Sequence, residues 1–386
     1  MSAGAHDKPL KRSGGAATRR DTKAGAGRVD DERWMREALA EGARGLGRTT
    51  PNPAVGCVIV RGGREIARGF YAGGGGPHAE ANALAAAGSG ARGATAYVTL
   101  EPHDHHGRTP PCTLALIAAG VSRVVVGCID PNPKVRGRGV RTLKRAGIDV
   151  VTGVLGGECA ELIRGYASVI ARGRPLVHLK LAATLDGRIA AAGGDSKWIT
   201  GEPARALVQQ LRLRAEAVLV GIGTVLADDP RLSCRIRGAA QPLRVILDPD
   251  LRTPPQARLL RGQGRAMLVC SPSAPAGRRR RLEAAGAEIE SLDSRGRRGW
   301  QRLLGMLSRR GVMELLVEGG SSVAASAIGA GVVDRYSIFV APRLLGGDGT
   351  PMIASLGVRR AGAALRLRTR AFAAVGEDFL WEGEPS

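Results

Sequence analysis

The sequence predicts two α/β domains in series. Segments with the two-residue alternation of strands and segments with the helical period follow one another along most of the chain. The alternation stops at residues 172–175, Arg-Gly-Arg-Pro, which are typical of a linker, and then restarts. A chain of 386 residues, 44% of them hydrophobic, is long enough to bury two cores. We therefore expect a disordered basic tail over residues 1–28, a first domain over 29–172 and a second over 173–386.

Local signals predict the elements of the first half. Acidic residues at 30–32 precede a periodic segment that ends at Ala43, which indicates an amphipathic helix. Two apolar segments on either side of Gly62-Gly63 predict a β-hairpin over residues 54–70. Further strands are expected at 94–100 and 123–128, and further helices at 79–87, 113–119, 140–146 and 158–170.

The second half repeats the alternation and adds two glycine-rich junctions. Strands are expected at 176–181, 217–220, 244–247, 266–270, 312–317 and 335–340, and helices at 203–214, 300–309 and 322–330. The junctions at 220–224 and 318–322 each follow a strand, and backbone N–H groups there could cradle a phosphate. Neither matches the G-x-G-x-x-G pattern, because position 226 is Leu, so each is as consistent with a tight turn as with a ligand loop.

The chain is strongly basic, with a formal net charge of +22. Such a charge is compatible with nucleic-acid binding, but aromatic residues make up only 3% of the chain, so platforms for stacked bases are scarce. Because the arginines are spread along the whole sequence, we favour a solvated surface suited to small anionic substrates. The sequence shows no signal peptide, no membrane-length apolar stretch and no disulfide framework among its six cysteines. We expect a cytoplasmic protein without a membrane partner; a transit peptide is the alternative interpretation of the basic tail.

The most informative motif begins with His78-Ala79-Glu80 and continues with Glu101-Pro102-His103 and Pro111-Cys112. It is close to the zinc-deaminase pattern, H-x-E followed by P-C-x-x-C, in which one His and two Cys bind the metal and the Glu carries protons. Here His103 stands where the first cysteine is expected. Catalytic zinc takes three nitrogen or sulfur ligands and keeps one open position. The predicted ligands are therefore His78, His103 and Cys112, and the predicted proton carrier is Glu80.

Local structure favours this metal site. His78 and Cys112 each stand at the start of a predicted helix, and a helix N-terminus favours a thiolate at Cys112. Exchange of a thiolate for the neutral imidazole of His103 makes the metal and its ligands more positive, which should acidify bound water and weaken metal binding. The alternative is that His78 is an ordinary surface residue and Cys112 an ordinary core residue.

Further motifs occur together with this one. They are Pro51-Asn52-Pro53, His105-His106-Gly107-Arg108-Thr109-Pro110-Pro111-Cys112, Asp130-Pro131-Asn132-Pro133, Leu185-Asp186-Gly187-Arg188, Trp198-Ile199-Thr200, Asp228-Asp229-Pro230 and Glu318-Gly319-Gly320. In this combination the chain closely resembles the bifunctional riboflavin-biosynthesis deaminase/reductase family, from Asp31 to the C-terminus. The resemblance implies an N-terminal cytidine-deaminase-like α/β/α domain and a C-terminal α/β domain with the dihydrofolate-reductase fold.

The resemblance also implies two activities and their residues. The first is zinc-dependent hydrolytic deamination of a phosphoribosylated diaminopyrimidinone, and the second is NADPH-dependent reduction of the ribosyl group to ribityl. Substrate positions of the deaminase map onto Asn52, His106 and Arg108. Cofactor positions of the reductase map onto Ala182, Trp198, Thr224, Asp228, Gly320, Ser321 and Ser322. Its substrate positions map onto Lys180, Ser196, Thr200, Arg212, Leu232, Arg235 and Glu318, and the family tends to form homo-oligomers.

Two positions depart from the family pattern, both in the deaminase half. The family usually has Cys where His103 stands and His where Tyr71 stands. These departures keep a second interpretation open, a reductase that carries a degenerate deaminase domain. A third interpretation, a deaminase acting on nucleic acid, depends on the basic charge alone.

Overall fold

Two β-sheets, one in each half of the chain, organise the fold. The computed structural model describes residues 18–107 and 109–386. In this described part, the first half forms a five-stranded sheet and the second half a nine-stranded sheet with a two-stranded ribbon. No helix among the described residues is long and apolar enough to cross a membrane.

The first sheet has helices on both faces. Its elements are α1 (Thr18–Ala43), β1 (Gly56–Arg61), β2 (Arg64–Phe70), α2 (Ala79–Ala87), β3 (Thr95–Leu100), α3 (Cys112–Ala118), β4 (Arg123–Cys128), α4 (Arg138–Arg145), β5 (Asp149–Thr152), α5 (Gly156–Leu162) and α6 (Arg164–Arg172). The strand order is β2-β1-β3-β4-β5. Strand β1 is antiparallel to β2 and β3, whereas β3, β4 and β5 are parallel.

The two-residue alternation of β1 decides which helices share a face. Cys57 and Ile59 belong to one buried cluster, together with residues of α2 and α3. Val58 and Val60 point to the opposite face and pack in a second cluster with Trp34 of α1. Helices α2 and α3 therefore lie on the same side of the sheet, with their N-termini available to one site.

The second sheet is mostly parallel. Its elements are β6 (Leu176–Thr184), β7 (Arg188–Ala190), α7 (Glu202–Arg214), β8 (Ala217–Gly221), α8 (Ile222–Asp228), β9 (Leu243–Leu247), β10 (Ala266–Cys270), α9 (Ala276–Ala284), β11 (Glu288–Ser291), α10 (Gly296–Arg309), β12 (Glu314–Val317), α11 (Ser321–Gly329), β13 (Arg335–Ala341), β14 (Thr350–Pro351), β15 (Leu367–Val375) and β16 (Asp378–Pro385). The order is β11-β10-β9-β8-β12-β6-β13-β16-β15, and only β16 and β15 run antiparallel to their neighbours. The carboxyl ends of β8, β12 and β6 are adjacent, which is where ligands bind in open α/β sheets.

The structure differs from the sequence-based expectation in several places, and β5, α8, α9 and β11 lie in segments for which no element was predicted. Helix α1 begins at Thr18, before the acidic residues at 30–32, and no proline interrupts residues 18–43. Residues 18–28 of the predicted tail are therefore part of this helix, and residues 1–17 lie outside the described residues. The helix expected at 158–170 is two helices, because Ile163 leaves the helical backbone and turns into the core. Strands β15 and β16 were not predicted, since most of β15 is exposed and lacks an apolar alternation.

A buried charge network joins the two halves. Arg164 of α6 contacts both carboxylate oxygens of Glu314 in β12, one of them at 3.0 Å from its Nε. The same guanidinium lies 3.3 Å from Nδ1 of His178 in β6, and Nε2 of His178 lies 2.9 Å from the hydroxyl of Ser337. Burial alone would raise the pKa of Glu314, but the charge of Arg164 outweighs it and holds that pKa well below its ordinary value. Loss of Arg164 would leave the buried carboxylate of Glu314 without the cation that is bound to both of its oxygens, whereas Arg164 has a second carboxylate partner in Glu161.

We predict that Arg164→Ala lowers the free energy of unfolding by about 3–5 kcal/mol, because Glu314 then stays buried without its partner. The control is Arg295→Ala. Arg295 forms an exposed ion pair with Asp293, in which 85% of the arginine side chain and 43% of the aspartate side chain are accessible to solvent. This control should change stability by no more than about 0.5 kcal/mol. Urea unfolding followed by tryptophan fluorescence measures both, since Trp300 is fully buried in the second core. Equal unfolding midpoints for the two variants would contradict the prediction.

Candidate active site

The three predicted metal ligands lie together at one point of the structure. The donor atoms of His78, His103 and Cys112 are all within 4.8 Å of one another. Sγ of Cys112 is 3.5 Å from Nδ1 of His78, and the imidazole centroids of His78 and His103 are 4.6 Å apart. These separations suit one ion held at about 2.0–2.3 Å by imidazole nitrogen and thiolate. The donor set therefore fits zinc.

The local fold explains why these side chains converge. His78 is the N-cap of α2 in an extended conformation, and Cys112 is the first residue of α3 after Pro111. His103 lies in the loop after β3, and its carbonyl accepts a hydrogen bond from the N–H of Thr113 in α3. Nε2 of His78 is 3.4 Å from the Thr109 hydroxyl, which suits the outer hydrogen bond that orients a metal-binding histidine.

Glu80 lies beside the cluster without belonging to it. It occupies the first turn of α2, is buried, and shares a hydrogen bond with Cys112. Burial raises the pKa of Glu80, so this carboxyl holds a proton more readily than an exposed glutamate. A proton carrier near neutral pH needs such a shift.

The predicted ligands are electrically neutral in the absence of a metal ion. Burial lowers the pKa of His103 to about 4, so its imidazole keeps a free lone pair. Burial also lowers the pKa of His78 and raises the pKa of the Cys112 thiol. Cys112 would lose its proton only when a cation binds, which couples metal binding to proton release.

A cavity of about 360 Å³ opens onto the cluster. Of the predicted substrate positions, Asn52 lines this cavity, His106 is exposed and does not line it, and Arg108 lies outside the described residues. Polar residues that were assigned no role from the sequence also form its wall: Tyr71, His105, Thr109, Asp130, Asn132 and Tyr166. Asp130 and Asn132 follow β4, and each is followed by a proline. Polar residues in this position at the carboxyl end of a strand are a sequence signal by which these two could have been predicted as site residues.

Glu101 of the Glu-Pro motif has a structural task. Its buried carboxylate accepts backbone hydrogen bonds from Gly137 at 2.8 Å, Val140 at 3.2 Å and Asp130 at 3.3 Å. It therefore fixes the start of α4 and the loop after β4 against the end of β3.

A second group of predicted residues lies at the carboxyl ends of β6, β8 and β12. Arg212 and Glu318 form a bidentate ion pair with N–O distances of 2.6 and 2.8 Å. Burial alone would raise the pKa of Glu318, but Arg212 holds it below its ordinary value. Lys180 is near this pair, and burial lowers the pKa of its ammonium group, partly offset by Glu318.

The junction between β12 and α11 has the features of a phosphate cradle. Gly320 is the N-cap of α11, and a Cβ there would lie 3.2 Å from the Thr224 hydroxyl. The Ser321 hydroxyl is buried and has no hydrogen-bond partner among residues 18–107 and 109–386. An unsatisfied hydroxyl at a helix N-terminus fits a bound anion such as the phosphate of a nucleotide.

The remaining predicted positions differ in their contacts and in their exposure. The Ser196 hydroxyl donates to Asp228 at 2.8 Å. Trp198 is 60% exposed, and the guanidinium of Arg205 lies over its ring. The same guanidinium donates a hydrogen bond to the carbonyl of Thr200. The others are Ala182 within β6, Leu232 buried in a core cluster, and Arg235 and Ser322 at the surface.

Two family models match the chain, one in each half. Residues 28–128 match the family model of the cytidine and deoxycytidylate deaminase zinc-binding region, and residues 175–381 match the RibD C-terminal domain. The riboflavin biosynthesis protein RibD of Actinobacillus pleuropneumoniae is 43% identical over 91% of this chain and 94% of its own length. The chain belongs to the RibD family. Membership makes it a bifunctional deaminase and reductase of riboflavin biosynthesis, which confirms the predicted family and activity classes.

Other RibD proteins agree in sequence and in fold. The RibD of Escherichia coli is 39% identical over 91% of this chain and 98% of its own length. The structure of Acinetobacter baumannii RibD matches with a TM-score of 0.82 at 40% identity, covering 93% of this chain and 99% of that one. The deaminase/reductase of Thermotoga maritima matches with a TM-score of 0.83 at 36% identity, covering 93% and 100%. The predicted α/β fold, a deaminase-like unit followed by a reductase unit, is confirmed.

We predict that Cys112→Ser loses most of its bound zinc. Changes to residues around metal ligands already cost about 10–100-fold in affinity, so loss of the single thiolate should cost at least as much. The matched control is Cys128→Ser, since the half-buried Cys128 thiol donates to the Thr99 carbonyl and a hydroxyl can replace it there. Zinc per chain after dialysis against a chelator distinguishes the two. Equal zinc content in both variants would exclude Cys112 as a ligand.

Proposed function

We propose that this enzyme removes the exocyclic amine of a phosphoribosylated diaminopyrimidine by zinc-dependent hydrolysis and then reduces the ribosyl group of the product with NADPH. The observation that carries the proposal is the convergence of His78, His103 and Cys112 beside Glu80, in a chain whose second half is a RibD reductase domain. The Thermotoga maritima relative is named for the same pair of activities, on a diaminohydroxyphosphoribosylaminopyrimidine and on a phosphoribosylaminouracil.

The deaminase step requires a reactive water and a proton carrier. Zinc, when bound by His78, His103 and Cys112, supplies the Lewis acidity that makes water reactive near neutral pH. Glu80, whose pKa is raised by burial, takes the proton of that water and delivers it to the departing amine. Asn52 lines the cavity and is positioned to bind the pyrimidine.

The ligand set of two imidazoles and one thiolate favours a catalytically active deaminase site over a degenerate one. The three donor atoms lie within 4.8 Å of one another and the buried carboxyl of Glu80 lies beside them, so the site retains every group that the reaction requires. With one thiolate fewer than the family pattern, the metal keeps more positive charge and polarises water more strongly.

The reductase half offers separate places for the cofactor and for the substrate phosphate. The unsatisfied Ser321 hydroxyl and the N-terminus of α11 suit a phosphate of NADPH. Because Arg212 and Glu318 largely neutralise each other, Lys180 and Arg235 supply the remaining positive charge for the substrate. These residues position the nicotinamide and the sugar, and the hydride chemistry belongs to the cofactor.

A homo-oligomer is part of the proposal. Strand β15 is at the edge of the nine-stranded sheet and nearly all of it is exposed, including Phe372 at 66%. Exposed apolar edge strands are places where a second chain can pair. The partners we propose are thus the phosphorylated pyrimidine and another copy of the chain, with no nucleic acid or membrane.

We predict that Glu80→Gln slows deamination by at least about 100-fold, because the amide cannot carry the proton. The variant should keep its zinc, since Glu80 is outside the set of ligands. Reduction of separately prepared deaminated substrate is the internal control and should be unchanged. Ammonia release, zinc content and NADPH oxidation on one preparation measure all three. Full deamination by the variant would remove Glu80 from the mechanism.

His103→Cys separates a working imidazole ligand from a degenerate site. If His103 is a working ligand, deamination should change by less than about tenfold, while zinc affinity rises because a thiolate replaces a neutral donor. If the wild type is nearly inactive and His103→Cys increases the rate of deamination by much more than tenfold, the deaminase domain is degenerate. Ammonia release and zinc competition with a chelator are the two measurements.

A further inference from the structure

Tyr71 stands in the wall of the deaminase cavity at a position where the family usually has His. It follows β2 directly, and only 4% of its surface is exposed, although its side chain lines the 360 Å³ cavity. Its ring meets that of His78 edge-on, with centroids 5.2 Å apart and an interplanar angle of 72°. The phenol is therefore held next to a predicted metal ligand.

The hydroxyl of Tyr71 accepts two hydrogen bonds from the protein. Nδ2 of Asn52 donates to it at 3.1 Å, and the backbone N–H of Gly75 donates at 3.3 Å. A phenolic oxygen has two lone pairs and one hydrogen. With both lone pairs occupied, the hydroxyl can still donate, and its own hydrogen has no acceptor among residues 18–107 and 109–386.

We propose that the O–H of Tyr71 donates a hydrogen bond to an acceptor atom of the pyrimidine ring, which makes Tyr71 a substrate-binding residue of the deaminase. The proposal rests on the deaminase function proposed above. The two N–H donors occupy the lone pairs of the hydroxyl, and because Tyr71 lines the cavity, its hydrogen can reach an acceptor that a substrate places there. The ring carbonyl and ring nitrogens of a pyrimidinone are acceptors of the required kind.

The arrangement also ties together three parts of the site. Asn52 comes from the loop before β1 and Gly75 from the glycine-rich loop after β2, and both end on the same oxygen. Gly73, Gly74 and Gly75 have positive φ angles, so this loop has the backbone freedom to bring its N–H groups to the phenol. A purely structural Tyr71 would hold these loops, whereas a substrate-binding Tyr71 would also alter the affinity for the pyrimidine.

Tyr71→Phe tests the proposal, because it keeps the ring against His78 and removes only the oxygen. Loss of one hydrogen bond to the substrate should raise the KM of deamination about tenfold. The kcat should stay within about twofold and zinc per chain should not change, since no ligand is touched. Reduction of the deaminated substrate by the same preparation is the control for folding. Tyr71→His, whose imidazole can also donate, should recover most of the affinity.

The outcomes separate this inference from the function on which it rests. An unchanged KM in Tyr71→Phe, with wild-type deamination intact, overturns the substrate contact and leaves the proposed function standing. A fall in zinc content, or a loss that appears in kcat alone, assigns Tyr71 to the support of His78 and also overturns it. A wild-type protein that binds zinc and reduces but never deaminates removes the proposed deaminase function, and this inference with it.

Discussion

The close packing of α2 on the first sheet is the constraint on which the metal cluster depends. A Cβ at Gly69 of β2 would lie 2.5 Å from the backbone nitrogen of Ala83, so only glycine allows the helix to approach this far. Ala79 and Ala83 are fully buried at the contact. Helix α3 packs in the same cluster through Leu116, and the two helix starts therefore converge. The apolar packing, and not attraction between the ligands, sets the spacing of the donor atoms.

The two sites manage buried charge in opposite ways. In the deaminase cavity, burial favours the neutral forms of Glu80, His103 and Cys112, so the site is prepared for a cation that brings its own charge. In the reductase half, Arg212 and Glu318 remain charged and neutralise each other. A site that binds an anionic ligand can retain such an ion pair. The pair holds the N–H donors of the arginine in a fixed orientation, and the two opposite charges leave little net charge in the interior.

The sequence predicted the residues that belong to short motifs and missed those that reach the site from elsewhere. His78, Glu80 and Cys112 were predictable because each lies at the start of a helix. A proline directly before His78 and another directly before Cys112 mark these helix starts in the sequence. Tyr166 was not predictable, since it comes from a helix more than fifty positions later and a break at Ile163 decides its direction. Strand β15 escaped prediction because an exposed strand carries no burial pattern, and its place depends on pairing with β16.

Helix α6 makes the wall of the first site depend on the second domain. The Tyr166 hydroxyl donates to Asp130 in the deaminase cavity at 3.2 Å, while Arg164, two positions earlier, is bound to Glu314 of the second sheet. At the other end of the helix, Arg172 pairs with Asp334. A helix anchored at both ends on one domain cannot shift without moving the side chain that it contributes to the other. The deaminase cavity is thus completed by a segment whose position the reductase half determines, which is a physical reason for the two activities to share one chain.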